Sequence, residues 1–299
     1  MTTGSLNAPV TLAGVRLKNP LMNAAFVNSK TTAHISSLLE APVGAVVVGS
    51  ISVKPRPKNP GQGYWLHKER FFSLNSFGLP NGGLPYYATR LPEMVRLAHD
   101  AGVPLIANVV GFTPEDFATL TAFAQTAGAD LVELNLGCPN VWEDGRQKRI
   151  ISYHASLVTE VLQAVSRTSL KIPVIAKISP LPPDILQEVA RAMTRSQVIQ
   201  AVTAVNSYPN AAITAGARGN AKDPEILAGL AGRALKPISV GVVRQLRHAL
   251  PKDIGIIGVG GISTAPDVGD YLDAGATAVQ MATALVEDGP PLFARILST

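Results

Sequence analysis

Only one cysteine, Cys138, occurs in the 299 residues. A single thiol excludes an intramolecular disulfide and any metal or iron–sulfur site that needs several cysteine ligands. It also fits a reducing compartment. Aromatics are scarce, at 5%, so the core must be built from Val, Ile, Leu and Ala, as buried parallel sheets are. Charged residues make up 16% against 46% hydrophobic, a balance that excludes a disordered chain. No apolar run reaches the roughly 18 residues that span a bilayer. The opening MTTGSLNAPV lacks the charged and then apolar order of a secretory leader. These absences lead us to expect a cytoplasmic protein without a membrane partner. The net charge is +5, but the basic residues are scattered and not interleaved with aromatics. A nucleic-acid partner is therefore not expected, whereas a small anionic substrate would suit the charge.

What is present is a rhythm. Short apolar runs occur at 20–25, 44–52, 104–111, 131–138, 174–180, 201–207, 255–261 and 278–285. Helix-like stretches at 115–128, 152–166, 183–195, 238–250 and 265–274 separate many of them. Eight such units predict a single-domain (β/α)8 barrel over residues 1–299, since about 250 residues suffice for one. Two Pro/Gly-rich segments, 53–85 and 209–237, interrupt the rhythm after the second and sixth strands. Long insertions at the strand ends of a barrel lie on the face that carries the active site. After the eighth strand there is room only for a short final helix.

Polar residues gather near the ends of these strands: Asn23, Asn108, Asn135, Cys138, Lys177, Asn206 and Ser207. A barrel interior is dry, so each of them needs a partner. The sharpest segment is Asn135-Leu136-Gly137-Cys138-Pro139-Asn140, where strand gives way to turn and sets the thiol at the barrel mouth. A cysteine there is either an inert small hydrophobe or a proton acceptor. Lys177 reads either as half of a structural ion pair or as a cation aimed at a bound anion. Gly258-Val259-Gly260-Gly261-Ile262 and Ala282-Thr283-Ala284 end the last two strands, where barrels commonly hold a phosphate. The glycine spacing is not that of a dinucleotide fingerprint.

These motifs resemble the class 1 dihydroorotate dehydrogenases, soluble FMN barrels of pyrimidine synthesis, over nearly the whole chain. The specific signals are the pair NSFGLPN (75–81) and NLGCPN (135–140). The resemblance implies oxidation of dihydroorotate to orotate, with Cys138 as base and hydride passing to N5 of FMN. It implies catalytic roles for Cys138, Lys177 and Asn135. Substrate contacts would come from Asn75, Phe77, Gly78 and Leu79, and from Asn135, Asn140, Asn206 and Ser207. The flavin would lie against Ala24, Ala25, Gly49, Ser50, Asn108 and Asn135, then Lys177, Val205 and Ser207. Its phosphate would sit by Gly232, Gly260, Gly261, Ala282 and Thr283. No metal ligand is expected. Fumarate is the expected electron acceptor, with quinone or NAD through an iron–sulfur partner left open, and the resemblance implies a homodimer. Gly49 stands where class 1 members carry a lysine, and we expect Lys30 to supply that charge to the substrate. Gly137 stands where Ser is usual. Two related FMN barrels remain alternatives: a dihydropyrimidine (uracil) reductase and a tRNA dihydrouridine synthase.

Overall fold

The computed structural model describes residues 6–61, 63–143, 146–212 and 227–298. Its centre is a parallel sheet of eight strands: β1 Leu21–Asn23, β2 Val46–Ile51, β3 Leu105–Val109 and β4 Leu131–Asn135, then β5 Val174–Ile178, β6 Ile199–Ala204, β7 Gly255–Val259 and β8 Ala278–Met281. Neighbours pair in chain order, and β8 returns to β1. The last seam, between β1 and β2, is closed by a bridge from Met22 to Ala45. Asn23 reinforces it. Its Oδ1 accepts from the Val47 amide at 2.9 Å, and its Nδ2 donates to the Val47 carbonyl at 2.8 Å. Asn23 thus does the work of a missing ladder residue.

All five helices named from sequence occur. They are α3 Pro114–Thr126, α4 Ala155–Ser166, α5 Pro183–Ser196, α6 Lys236–Ala249 and α7 Ala265–Asp273, preceded in the chain by α1 Thr32–Leu39 and α2 Gly83–Asp100. Thr113 and Thr264 each cap a helix through a reciprocal box with an aspartate three residues on. Two short helices, α8 Thr283–Asp288 and α9 Pro291–Leu297, follow β8 rather than one. The run 278–285, expected as one strand, breaks at Ala282, and its second half is α8.

Strand alternation sorts the side chains. One set packs outward against the helices. The other fills the barrel, and its lower layer is Met22, Ala45, Val47, Ile106, Leu131, Ile175, Ala201, Ile257 and Ala278, all fully buried. A hairpin, Val10–Leu12 with Val15–Leu17, places Leu12 and Leu17 under this layer and plugs the bottom. Two residues further along, β3, β4, β5, β6 and β8 carry Asn108, Glu133, Lys177, Thr203 and Gln280, a buried polar layer that leads to the site.

The two insertions are more ordered than a loop reading allows. Tyr64–Leu66, Ser73–Asn75, Ala228–Ala231 and Tyr208–Ala211 join in one antiparallel four-stranded sheet. Two segments distant in sequence thereby become one structure above the barrel. Residues 213–226 of the second insertion lie outside the described residues.

Candidate active site

A cavity of about 370 Å³ opens at the C-terminal ends of the strands. Nearly every residue singled out from sequence lines it: Lys30, Gly49 and Ser50; Asn75, Phe77, Gly78 and Leu79; Asn135, Cys138 and Asn140; and Lys177, Val205, Asn206 and Ser207. Ala24, Ala25, Gly232, Gly260, Gly261, Ala282 and Thr283 line it as well. One does not. Asn108 has no exposure and lies a layer below, where its Nδ2 donates to Glu133 at 2.6 Å. Its expected place against a bound group is therefore replaced by a place in the floor. The strand period explains the difference, because Asn108 faces inward level with Glu133, whereas Asn135 stands one step higher.

The asparagines hold one another. Asn206 donates to Asn135 Oδ1 at 3.0 Å, and Asn135 donates to Ser50 Oγ at 3.1 Å. Asn140 donates to Asn75 Oδ1 at 2.6 Å, and Asn75 to the Gly229 carbonyl at 3.0 Å. These bonds fix which amide end faces the cavity. The lone pairs and N–H groups left over form a mixed donor–acceptor wall that suits a planar, imide-like molecule. Asn59, unremarked in the sequence, ties the two loops together by donating to the carbonyls of Ser76 and Asn140, both at 3.0 Å.

Cys138 follows a close crossing. A Cβ on Gly137 would come within 2.6 Å of the Ser179 amide nitrogen, and Ser179 Oγ donates to the Gly137 carbonyl at 2.7 Å. Serine does not fit there in this packing. Burial pushes the Cys138 thiol up to about 11, while an amide at Asn140 and the charges of Arg56, Lys30 and Lys177 oppose that shift. Cys138 and Asn135 also form part of the wall of a second cavity of about 250 Å³, beside Phe112 and Lys148.

Gly49 has φ +128°, and a Cβ on it would lie 2.3 Å from the Asn108 carbonyl oxygen. No side chain fits, so no lysine could stand there. A different lysine occupies the neighbourhood. Lys30 reaches the cavity from the turn before α1, and its Nζ donates to the Pro80 carbonyl at 2.6 Å. Burial pulls this ammonium down to about 8, and a charge on Cys138 partly offsets the shift.

Beneath the mouth, Lys177 Nζ donates to Gln280 Oε1 at 2.9 Å and stands 3.8 Å from Glu133 Oε1. Glu133, Thr203 and Gln280 were missed in the sequence, although Glu133 shares the inward face of β4 with Asn135. At the rim, Arg70 pairs with Asp288 at 3.1 Å and Glu287 at 3.5 Å, and Asp288 also pairs with Arg295. Gly260 and Gly261 have φ of +138° and +69°, and a Cβ on Gly261 would meet the Gly232 carbonyl at 2.9 Å. The backbone is exposed there without side chains, as a phosphate cradle requires.

Fold and site together describe a (β/α)8 barrel whose C-terminal mouth holds a cavity walled by a thiol, two lysines and four asparagines. The family model described as dihydroorotate dehydrogenase matches residues 7–299. Similar curated proteins are dihydroorotate dehydrogenase B (NAD(+)) catalytic subunits. That of Thermococcus kodakarensis is 34% identical, covering 99% of this chain and 92% of the relative. That of Thermoplasma volcanium is 32% identical, covering 95% and 88%. Among solved structures, dihydroorotate dehydrogenase from Eimeria tenella in complex with ferulenol superposes with a TM-score of 0.83 at 20% identity, covering all of this chain and 84% of that one. This supports the fold. The chain belongs to the dihydroorotate dehydrogenase family, oxidoreductases that act on CH–CH bonds.

Proposed function

We propose that this enzyme oxidises dihydroorotate to orotate in pyrimidine synthesis, with FMN as its resident cofactor. The observation that carries the reading is one cavity lined by Cys138, Lys30, Lys177 and four asparagines, with a side-chain-free glycine turn at its far end. The residues fit FMN. Gly260, Gly261 and Gly232 leave room for a phosphate, and the Lys177 cation with Asn135 and Ser50 offers donors for a pyrimidine-like edge. FMN, when bound, supplies the two-electron acceptor for the hydride that leaves C6 of the substrate.

The remaining work belongs to the chain. Cys138 takes the proton from C5. Its thiol sits high, at about 11, so the thiolate is a strong base once formed and the adjacent cations favour its formation. Lys177 provides a fixed positive charge beside the site of charge build-up. Asn75, Asn140, Asn135 and Asn206 orient the imide edge, with the turn at Gly78 and Leu79 closing one side. Lys30 pairs with the substrate carboxylate. That preference for an acid separates this reading from uracil reduction, which offers no carboxylate to the same lysine.

For the acceptor we assign NAD+, reached through a partner subunit, in place of fumarate. The support is the name shared by relatives at 32–34% identity, each an NAD(+) catalytic subunit. One cysteine cannot hold a four-cysteine cluster, so any such relay would sit in the partner. Anaerobic titration of the reduced protein with fumarate and with NAD+, alone and with the partner, tests this. Rapid reoxidation by fumarate alone would overturn it.

A further inference from the structure

Glu133 is a fully buried carboxylate at the centre of the barrel, and nothing in the reaction described above uses it. Four strands reach it. Asn108 Nδ2 on β3 and Thr203 Oγ1 on β6 each donate at 2.6 Å, Gln280 Nε2 on β8 donates at 2.8 Å, and Lys177 Nζ on β5 stands at 3.8 Å. Every partner is a donor, which is the surrounding of an ionised carboxylate. An apolar layer would have been a cheaper filling, since isosteric hydrophobes often replace buried ion pairs without loss.

The consequence falls on Lys177. Gln280 has one amide with two ends. Because Glu133 takes the nitrogen end, the oxygen end must face Lys177, and it accepts from Nζ at 2.9 Å. Glu133 thus fixes the lysine's position through Gln280 and lowers, through its own charge, the positive potential that Lys177 delivers to the cavity floor. We propose that Glu133 is a positioning residue that sets the reduction potential of the bound flavin, by anchoring Gln280 and partly neutralising Lys177. This rests on the FMN reading above.

Glu133→Gln keeps the shape and removes the charge. The new amide nitrogen would face Asn108, whose Oδ1 is buried without a partner among the described residues. Asn108 can turn its amide and offer that oxygen, so the layer stays hydrogen-bonded. The potential of bound flavin is then measured by anaerobic reductive titration against reference dyes, alongside thermal unfolding. The expected result is a clear positive shift of the potential, with reduction by substrate several-fold faster and reoxidation several-fold slower. Glu133→Asp, which keeps the charge, should return the potential most of the way to wild type. Thr203→Val removes one donor from the carboxylate but leaves the Gln280–Lys177 branch intact. It should lower the melting temperature while leaving the potential in place. If Glu133→Gln binds FMN and melts lower but keeps the wild-type potential, Glu133 is structural only and the proposal fails. A shift with Thr203→Val equal to that with Glu133→Gln would also overturn it, because general loosening would then explain both. A wild-type protein that takes up no FMN would instead refute the underlying function.

Discussion

Replacing Lys30 by Met should stabilise the protein while it weakens substrate binding. The ammonium is held in the cavity wall, and burial lowers it from the ordinary lysine range to about 8. That drop corresponds to about 3 kcal/mol of cost for keeping the charge at neutral pH. The substitution also loses the bond to the Pro80 carbonyl, worth about 1 kcal/mol. A net gain of about 2 kcal/mol remains, or about 4 °C in melting temperature for a domain of this size. The sign with pH is fixed by the same shift. The folded state releases this proton near pH 8, whereas the unfolded state keeps it to higher pH. The unfolded state therefore binds more protons in that window, and wild-type stability rises there. The advantage of the Met variant should thus be full at pH 7 and disappear as pH climbs past the ordinary lysine range. Substrate affinity should fall about tenfold to a hundredfold, the worth of a charge-assisted hydrogen bond. Thermal unfolding of the variant and wild type from pH 6 to 10, with dihydroorotate titrations at pH 7, measures both. A lower melting temperature together with unchanged affinity would refute the placement of Lys30 as a strained, substrate-facing cation.

Other outcomes follow from the same geometry. Turnover should rise with pH across the neutral and mildly alkaline range, because the Cys138 thiol sits near 11; a flat kcat profile from pH 6 to 9 would argue against a thiol base. Cys138→Ala should bind FMN normally and slow flavin bleaching by at least about a hundredfold, read by stopped flow. Gly49→Ala should cost about 3 kcal/mol or more, since φ is +128° and the Asn108 carbonyl lies 2.3 Å from the new Cβ; denaturant unfolding gives the value. Gly261→Val should yield colourless protein, because its side chain would crowd Lys236 and the Gly232 carbonyl where the phosphate is placed.

The barrel was legible because its strands are apolar runs separated by helices, and the motif pair at 75–81 and 135–140 marked the site. Other features were hidden for identifiable reasons. The four-stranded sheet over the mouth joins Tyr64–Leu66 and Ser73–Asn75 to Tyr208–Ala211 and Ala228–Ala231, and neither segment has a period that shows its partner. Helices α1 and α2 are absent from the sequence reading; α2 begins at Gly83 inside a Pro/Gly-rich stretch that reads as loop. Asn108 lies a layer below the cavity, and a polar residue on a strand shows its face but not its depth. Glu133, Thr203 and Gln280 were passed over because each is unremarkable alone, and only barrel closure brings β3, β4, β6 and β8 onto one carboxylate. The collision at Gly49 likewise becomes visible only when β2 lies beside β3.

No helix among the described residues is long and apolar enough to cross a membrane. The most direct test of the account is to mix the purified protein, loaded with FMN, with dihydroorotate under anaerobic conditions and follow the flavin band. The account predicts prompt bleaching, with dihydrouracil producing little. Bound FMN that stays yellow with dihydroorotate but bleaches with dihydrouracil would contradict it.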